Sequence, residues 1–157
     1  MRLAQIHVLN LMNWIWQKYP DLDSSQLIDI SELRKSFFKE DSRQDLANDE
    51  FDKISLHLLG LIDSDLIAYG RVIPPHGKFV NPYLSRIIVA EKYRKKGFGR
   101  ALVNELSKKS KDLFSDKMTK VSSLASTLSF YKKNNFIEDK KFIDEAGVEH
   151  FILLKND

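Results

Sequence analysis

The segment Arg94-Lys95-Lys96-Gly97-Phe98-Gly99 places basic side chains directly before two closely spaced glycines, between a strand-like run ending at Val89 and a helix-like run beginning near Phe98. Successive backbone N–H groups in such a turn can point into one concavity. Gly97 and Gly99 permit close backbone approach, and a helix N-terminus adds a favourable dipole, so the segment suits an anion such as a pyrophosphate. It lacks the Gly-Lys-Ser/Thr of a P-loop and the three glycines of the dinucleotide pattern. On pattern alone, a basic tight turn fits equally well. Elsewhere, His57 opens an apolar strand and is more often structural, bonded to nearby backbone. His150 follows a hairpin turn and is either a base or substrate contact, or a solvent-facing strand residue. Glu40, Asp41 and Asp45 either attract a cationic amine, or serve as base, or form a solvated acidic loop. Arg71 and Arg86 either hold a substrate carboxylate or form ion pairs within a sheet.

Charge is distributed in the same sense. The 157-residue chain carries +3 overall. Arg86 to Lys111 holds nine basic residues against two acidic ones, whereas Glu40 to Asp52 holds six acids against Arg43 alone. A polyanion is the natural partner of the first element and a cation that of the second. Lys108, Lys109 and Lys111 read as a solvated helix face.

With 43% hydrophobic residues the chain can build one core without staples, and residues 1–157 are expected to form a single domain. The absence of cysteine excludes thiolate zinc sites, disulfides and a thiol nucleophile, and no metal is expected. No apolar run is long enough to span a bilayer and no leader pattern is visible, so a cytoplasmic location is expected.

These residues need elements to position them. Asn13 to Tyr19 reads as a strand stopped by Pro20. Asp23, Ser24 or Ser25 caps a helix to about Phe38, its apolar face formed by Leu27, Ile30, Leu33, Phe37 and Phe38. Gln44 to Lys53 is weakly helical. His57 to Ile62 and Leu66 to Ile73 form a hairpin around Asp63-Ser64-Asp65, and Pro74-Pro75-His76-Gly77 ends it. Tyr83 to Val89 is a strand. A helix then runs from about Phe98 to Lys111, facing inward with Ala101, Leu102, Leu106 and Leu113. A short strand near Thr119 to Leu124, a helix from Ser126 to Asn134 with a left-handed Asn134-Asn135 cap, and a hairpin of Phe136 to Ile143 and Val148 to Leu154 complete the chain. A strand, turn, helix and strand in the middle require a right-handed parallel crossover. The expected fold is α/β (α+β): a mixed, mostly antiparallel sheet of six to seven strands with a central parallel crossover and about four helices.

The stretch from Leu84 through Val89 and Arg94-Lys95-Lys96-Gly97-Phe98-Gly99 to Leu102 resembles the acyl-CoA signature of the GNAT N-acetyltransferases, Arg/Gln-x-x-Gly-x-Gly/Ala after a strand ending in Val. Phe130-Tyr131-Lys132-Lys133-Asn134-Asn135-Phe136 is similar to that family's second motif, Phe/Leu-Tyr-x-x-x-Gly-Phe, with Asn135 in the glycine position. The chain most resembles the ElaA-type branch, through Ser25-Gln26-Leu27, Leu33-Arg34, Phe37-Phe38, His57-Leu58-Leu59, Ala68-Tyr69-Gly70-Arg71 and Glu145-Ala146-Gly147-Val148-Glu149-His150. Two departures stand out. The branch's Glu-Gln pair after the first helix is here Glu40-Asp41-Ser42, and the polar amide usual near Leu124 is absent, leaving Ser123 or Ser126 to contact a pantetheine arm. The branch begins shortly before its first strand, which fits Met12-Asn13-Trp14 and makes residues 1–11 an expected extension.

The resemblance implies transfer of an acetyl group from acetyl-CoA to an amine. A primary amine of pKa 10.4 is neutral in about one molecule in 2,500 at pH 7, so a base is needed as well as positioning. Ile87, Ile88 and Val89 would pair with the pantetheine arm, an N–H of Ile88 or Val89 polarising the thioester carbonyl. Arg94, Lys95, Lys96, Gly97, Phe98, Gly99 and Arg100 would hold the pyrophosphate and Ser126 the arm. Tyr131 would protonate the departing thiolate, against the plainer reading of a core aromatic, with His150 or Glu40 as base. The acceptor is a small-molecule amine or a protein amino group, and a homodimer is left open. A non-catalytic acyl-CoA sensor is the main competitor. A nucleic-acid module is disfavoured because the basic stripe lacks interleaved aromatics apart from Tyr93 and Phe98 and matches no binding motif.

Overall fold

The computed structural model describes residues 3–37 and 49–156. Seven strands, β1 (Asn13–Lys18), β2 (Leu56–Ile62), β3 (Asp65–Ile73), β4 (Tyr83–Val89), β5 (Lys120–Leu124), β6 (Phe136–Ile143) and β7 (Glu149–Lys155), form one sheet in the order β1-β2-β3-β4-β5-β7-β6. The β4–β5 pair is parallel and every other pair antiparallel. The helices are α1 (Leu3–Asn10), α2 (Ser24–Phe37), α3 (Phe98–Leu113) and α4 (Leu128–Lys133). The expected sheet and crossover are present, with α3 as the crossover helix.

β2 and β3 read as nearly continuous apolar runs because both faces of the sheet are covered. Leu58 and Ala68 face α3 together with Leu84, Leu102, Val103, Leu106 and Val121. Leu59, Tyr69 and Ile88 face α2 through Ile30 and Leu33. The inner face of α3 is shifted slightly from expectation: Phe98 and Val103 are buried, while Leu113 is half exposed. Of the three candidate caps, Asp23 is the one used. Its Oδ1 accepts from the Gln26 N–H at 2.8 Å and Gln26 Oε1 accepts from the Asp23 N–H at 3.0 Å, a reciprocal capping box.

Leu3–Asn10, within the expected extension of residues 1–11, is a helix whose Val8 and Leu9, with Met12, lie against the α3-side core. From Asp49 to Ser55 the chain forms turns, not helix. The left-handed turn before β6 falls on Asn135, at φ 66°.

The turn segment carries a buried network of ion pairs. Asp52 accepts from Arg34 Nη1 at 2.9 and 3.1 Å and from Arg71 Nη1 at 2.7 Å. Asp49 takes a bidentate contact from Arg71 at 2.6 and 2.7 Å and a bond from Arg86 Nη2 at 3.2 Å. Arg34 and Arg71 are each 1% exposed. Burial alone would raise the Asp49 pKa, but the Arg71 hydrogen bonds and the charges of Arg71, Arg86 and Arg34 bring it below its ordinary 3.8. His57 is structural, as its position suggested. Its Nε2–H donates to the Asp52 carbonyl at 2.8 Å, leaving Nδ1 to accept from the Tyr69 hydroxyl at 2.7 Å. Burial holds His57 below its ordinary 6.5, so it is neutral.

Asp52→Ala leaves two buried guanidinium groups short of their anion and should cost about 3–5 kcal/mol in urea unfolding; an unchanged midpoint would contradict the buried cluster. The acid side has a fixed order. The unfolded chain binds a proton at His57 that the folded chain refuses, so stability falls as pH drops below 6.5. Asp49 stabilises above 3.8 and loses that contribution as pH falls through its lower folded pKa. Urea midpoints measured against pH should show this two-stage loss, and His57→Gln should remove the first stage.

Candidate active site

β4 begins as a regular strand and then leaves its parallel neighbour. It pairs with β5 only at Tyr83↔Lys120 and Leu84↔Val121, although β4 continues to Val89 and β5 to Leu124. On its other edge the register with β3 jumps from Ser85↔Arg71 to Ile88↔Tyr69, a bulge in which Arg86 takes φ 54°. A bulge bends its strand, and the left-handed conformation is costly for arginine unless its surroundings fix it. Here the Asp49 carboxylate, itself clamped by Arg71, receives the Arg86 side chain. The result is a wedge between the C-terminal halves of β4 and β5, where the facing backbone edges make no ladder with each other. Buried backbone donors and acceptors demand partners, so this wedge suits an extended ligand carrying amides.

The wedge leads to the basic turn. After Val89 the chain passes through a 3-10 turn at Glu91–Tyr93, then Lys95 at φ 61° and Gly97 at φ 92°, into α3. Among the described residues no side chain caps the α3 N-terminus, so its first N–H groups keep their donor capacity. Gly99 leaves little room for a side chain: a Cβ there would press on the Phe130 ring at 3.3 Å and make ordinary contact with Val89 Cγ2 at 4.0 Å. It therefore lets the start of α3 close against both β4 and α4.

The candidate residues divide by what they can offer. Ile88 and Phe98, each 1% exposed, have side chains committed to the core and can contribute only backbone groups. Arg94 turns back: its Nε donates to the Val89 carbonyl at 3.0 Å and its guanidinium covers Phe37 at 5.2 Å, fixing the loop to β4 and α2. The Lys96 ammonium lies 5.8 Å from the Tyr93 ring centre, and Tyr93 meets Phe98 edge-on at 5.7 Å. Lys95 and Arg100 are exposed. Beyond β5, Ser123 is buried with its hydroxyl bonded to Thr127 Oγ1 and the Leu124 carbonyl, whereas Ser126 is exposed. Ser126 is thus the better placed of the two for a ligand.

Tyr131 lies on α4, 8% exposed, edge-on to Phe130 at 5.2 Å and Phe136 at 5.7 Å. Its hydroxyl has no hydrogen-bond partner among the described residues, and burial raises its pKa, so it stays protonated. His150, on β7, lies opposite Leu124 at the end of β5, one strand beyond the wedge. Its Nε2 lies 2.8 Å from Asp144 Oδ2 and its ring stacks on Phe142 at 4.9 Å. A carboxylate there selects the Nε2–H tautomer of neutral His150 and leaves Nδ1 as the basic nitrogen. Asp144 was absent from the sequence expectations. The cue available was an Asp heading a turn ended by Gly147, since Asp144 Oδ1 also accepts from the Ala146 and Val148 N–H groups.

Glu40, Asp41 and Asp45 lie outside the described residues. Of the acidic run, Asp49 and Asp52 are neutralised by arginines, which corrects the reading of that run as one uniform attraction for a cation. Arg71 and Arg86 form the ion-pair alternative. Among the described residues no three potential ligands gather as a metal site, and no helix is long and apolar enough to cross a membrane.

Residues 55–138 match the acetyltransferase (GNAT) domain family. A UPF0039 protein of Schizosaccharomyces pombe is 31% identical over 144 residues, covering 88% of this chain and 93% of its own. ElaA of Escherichia coli is 24% identical over 143 residues, covering 89% of this chain and 94% of its own. The crystal structure of E. coli ElaA superposes with a TM-score of 0.81 over 92% of this chain and 99% of its own, at 22% identity. An aminoglycoside 6'-N-acetyltransferase complexed with coenzyme A superposes with a TM-score of 0.72 at 14% identity, over 90% of this chain and 96% of its own. The chain belongs to the GNAT acetyltransferase family and is an acyltransferase.

Asp144→Ala should cost about 1–3 kcal/mol, because two turn N–H groups and the histidine lose their acceptor. The nitrogen shifts of His150 in a long-range proton–nitrogen spectrum should move from the Nε2–H pattern toward a tautomer mixture. A spectrum unchanged by the substitution would contradict the pairing.

Proposed function

We propose that this protein transfers an acetyl group from acetyl-CoA directly to a primary amine, borne by a small molecule or by a protein. The observation that carries this reading is the wedge between β4 and β5, which runs from unladdered backbone at residues 85–89 to the uncapped, glycine-bearing start of α3. Its residues fit the cosubstrate's chemistry: peptide groups for an amide-bearing arm, and helix N–H groups with Lys95, Lys96 and Arg100 for a pyrophosphate. The missing side chain at Gly99 admits the close packing that this needs. Acetyl-CoA supplies the thioester carbonyl that the amine attacks.

The chain's own residues do the rest. Backbone N–H groups of Ile88 or Val89 stabilise negative charge developing on the carbonyl oxygen. His150, oriented by Asp144, accepts the proton that the ammonium must lose, and Glu40 is the second candidate for that role. Tyr131 delivers its hydroxyl proton to the departing thiolate; burial keeps that proton in place at neutral pH. The ammonium's first proton passes through the base to solvent before attack. As the C–N bond forms and the C–S bond breaks, the amine's second proton goes to the base and that of Tyr131 to sulfur, and the tyrosinate then regains a proton from solvent. No cysteine is present to carry an acyl group, which favours direct attack over a thiol-linked intermediate.

Tyr131→Phe should lower kcat by about 10²- to 10⁴-fold, the usual contribution of a positioned acid, with the Kd for coenzyme A unchanged by calorimetry. Gly99→Leu should instead weaken coenzyme A at least about tenfold by forcing α3 away from Phe130. Thiol release unaltered in Tyr131→Phe would remove the acid role from Tyr131, and a parent chain that binds coenzyme A but releases no thiol would leave the protein as a binding domain that senses acyl-CoA. Stabilisation by oligonucleotides but not by acetyl-CoA would overturn the assignment.

A further inference from the structure

β6 ends the sheet, and its sequence reads as charge-complementary to itself when reversed. Among the described residues no strand covers its outer side. Of its eight residues only Phe136 is buried; Ile137, Phe142 and Ile143 are 55%, 46% and 68% exposed. A strand edge is a template for pairing and is normally guarded by charged side chains, a bulge, proline or cover. Here the charges are self-complementary: Phe136-Ile137-Glu138-Asp139-Lys140-Lys141-Phe142-Ile143 carries two acids followed by two lysines between apolar ends.

We propose that β6 pairs antiparallel with β6 of a second copy of this chain, about a two-fold axis between Asp139 and Lys140, joining the two sheets edge to edge. In this register Phe136 faces Ile143, Ile137 faces Phe142, Glu138 faces Lys141 and Asp139 faces Lys140, each twice. The sheet faces agree. Through their β7 partners, Phe136, Glu138, Lys141 and Ile143 share one face (opposite Lys155, Leu153, Phe151 and Glu149), while Ile137 and Phe142 share the other (opposite Leu154 and His150). Opposed residues in an antiparallel pair lie on the same face, and every pair outside the bulge meets that condition.

Neighbouring registers are worse. A two-residue shift one way sets Lys140 against Lys141, and the other way sets Glu138 against Asp139. A one-residue slip brings Asp139 or Lys140 against its own copy. The bulge at Asp139 shifts register against β7, which lacks the extra residue. Between two copies the extra residue occurs in both strands, so their mutual register is unbroken. The charged groups are available, because their contacts within the chain are exposed pairs: Lys132 with Glu138 at 3.1 Å and Lys141 with Glu149 at 3.6 Å. Phe142, which stacks on His150, would be covered in the pair by the second copy's Ile137, tying the order of the candidate base to dimerisation.

Charge exchange tests both edge and register. Sedimentation equilibrium of the full chain at tens to hundreds of micromolar should give twice its 18.3 kDa mass. Glu138→Lys and Lys141→Glu singly place like charges opposite one another at two positions and should each weaken the dimer at least about tenfold. The double exchange Glu138→Lys with Lys141→Glu restores opposite charges across the axis and should return the parent mass, which also shows that the substitutions do not act by unfolding. A single-chain mass for the parent would overturn the proposal. So would a dimer indifferent to both single exchanges, or a double exchange that stays monomeric.

Discussion

The separation of β4 from β5 after two residue pairs is the feature on which the site depends. A parallel pair in the middle of a covered sheet has every reason to zip to its end, since each unpaired backbone group buried there costs free energy. It does not zip because the β4 bulge turns the strand away, with Arg86 in a left-handed conformation. That conformation is secured from a distance. Arg86 reaches Asp49, which is gripped by Arg71 of β3, while Asp52 joins Arg71 to Arg34 of α2. The opening therefore rests on three elements and one turn being held together by charge.

A buried ionic cluster of this kind is weak evidence for stability and better evidence for geometry. An apolar core could hold α2 on the sheet, but it could not hold an arginine at positive φ by its side chain. The His57–Tyr69 pair extends the cluster with hydrogen bonds that leave both groups neutral. Polar material is thus concentrated on the α2 side beneath the bulge, while the α3 side is packed with aliphatic and aromatic residues that fix the basic turn.

The parts legible in the sequence were those governed by local rules. Strand and helix limits followed from periodicity, caps and glycine-bearing turns, and the motif around Gly97 and Gly99 lies where a helix begins after a strand. The bulge was not legible, because nothing about Ser85-Arg86-Ile87 marks a positive φ; it arises from contacts with residues far along the chain. For the same reason Asp49 and Asp52 counted as part of an anionic surface when they are internal counter-ions. Helix α1 escaped notice because its apolar residues are spread around the helix and form no stripe, and its order comes from Val8, Leu9 and Met12 meeting the core. Tyr131 and His150 stood out by motif or position, but the orienting carboxylate of Asp144 needed the folded hairpin.

The proposed role of the wedge is tested most directly by amide hydrogen exchange of the full chain with and without coenzyme A. Binding there predicts slowed exchange in two stretches: residues 86–100, covering the second half of β4 and the start of α3, and residues 123–127 beyond β5. Protection confined to other segments, with these two unchanged at saturating coenzyme A, would contradict it.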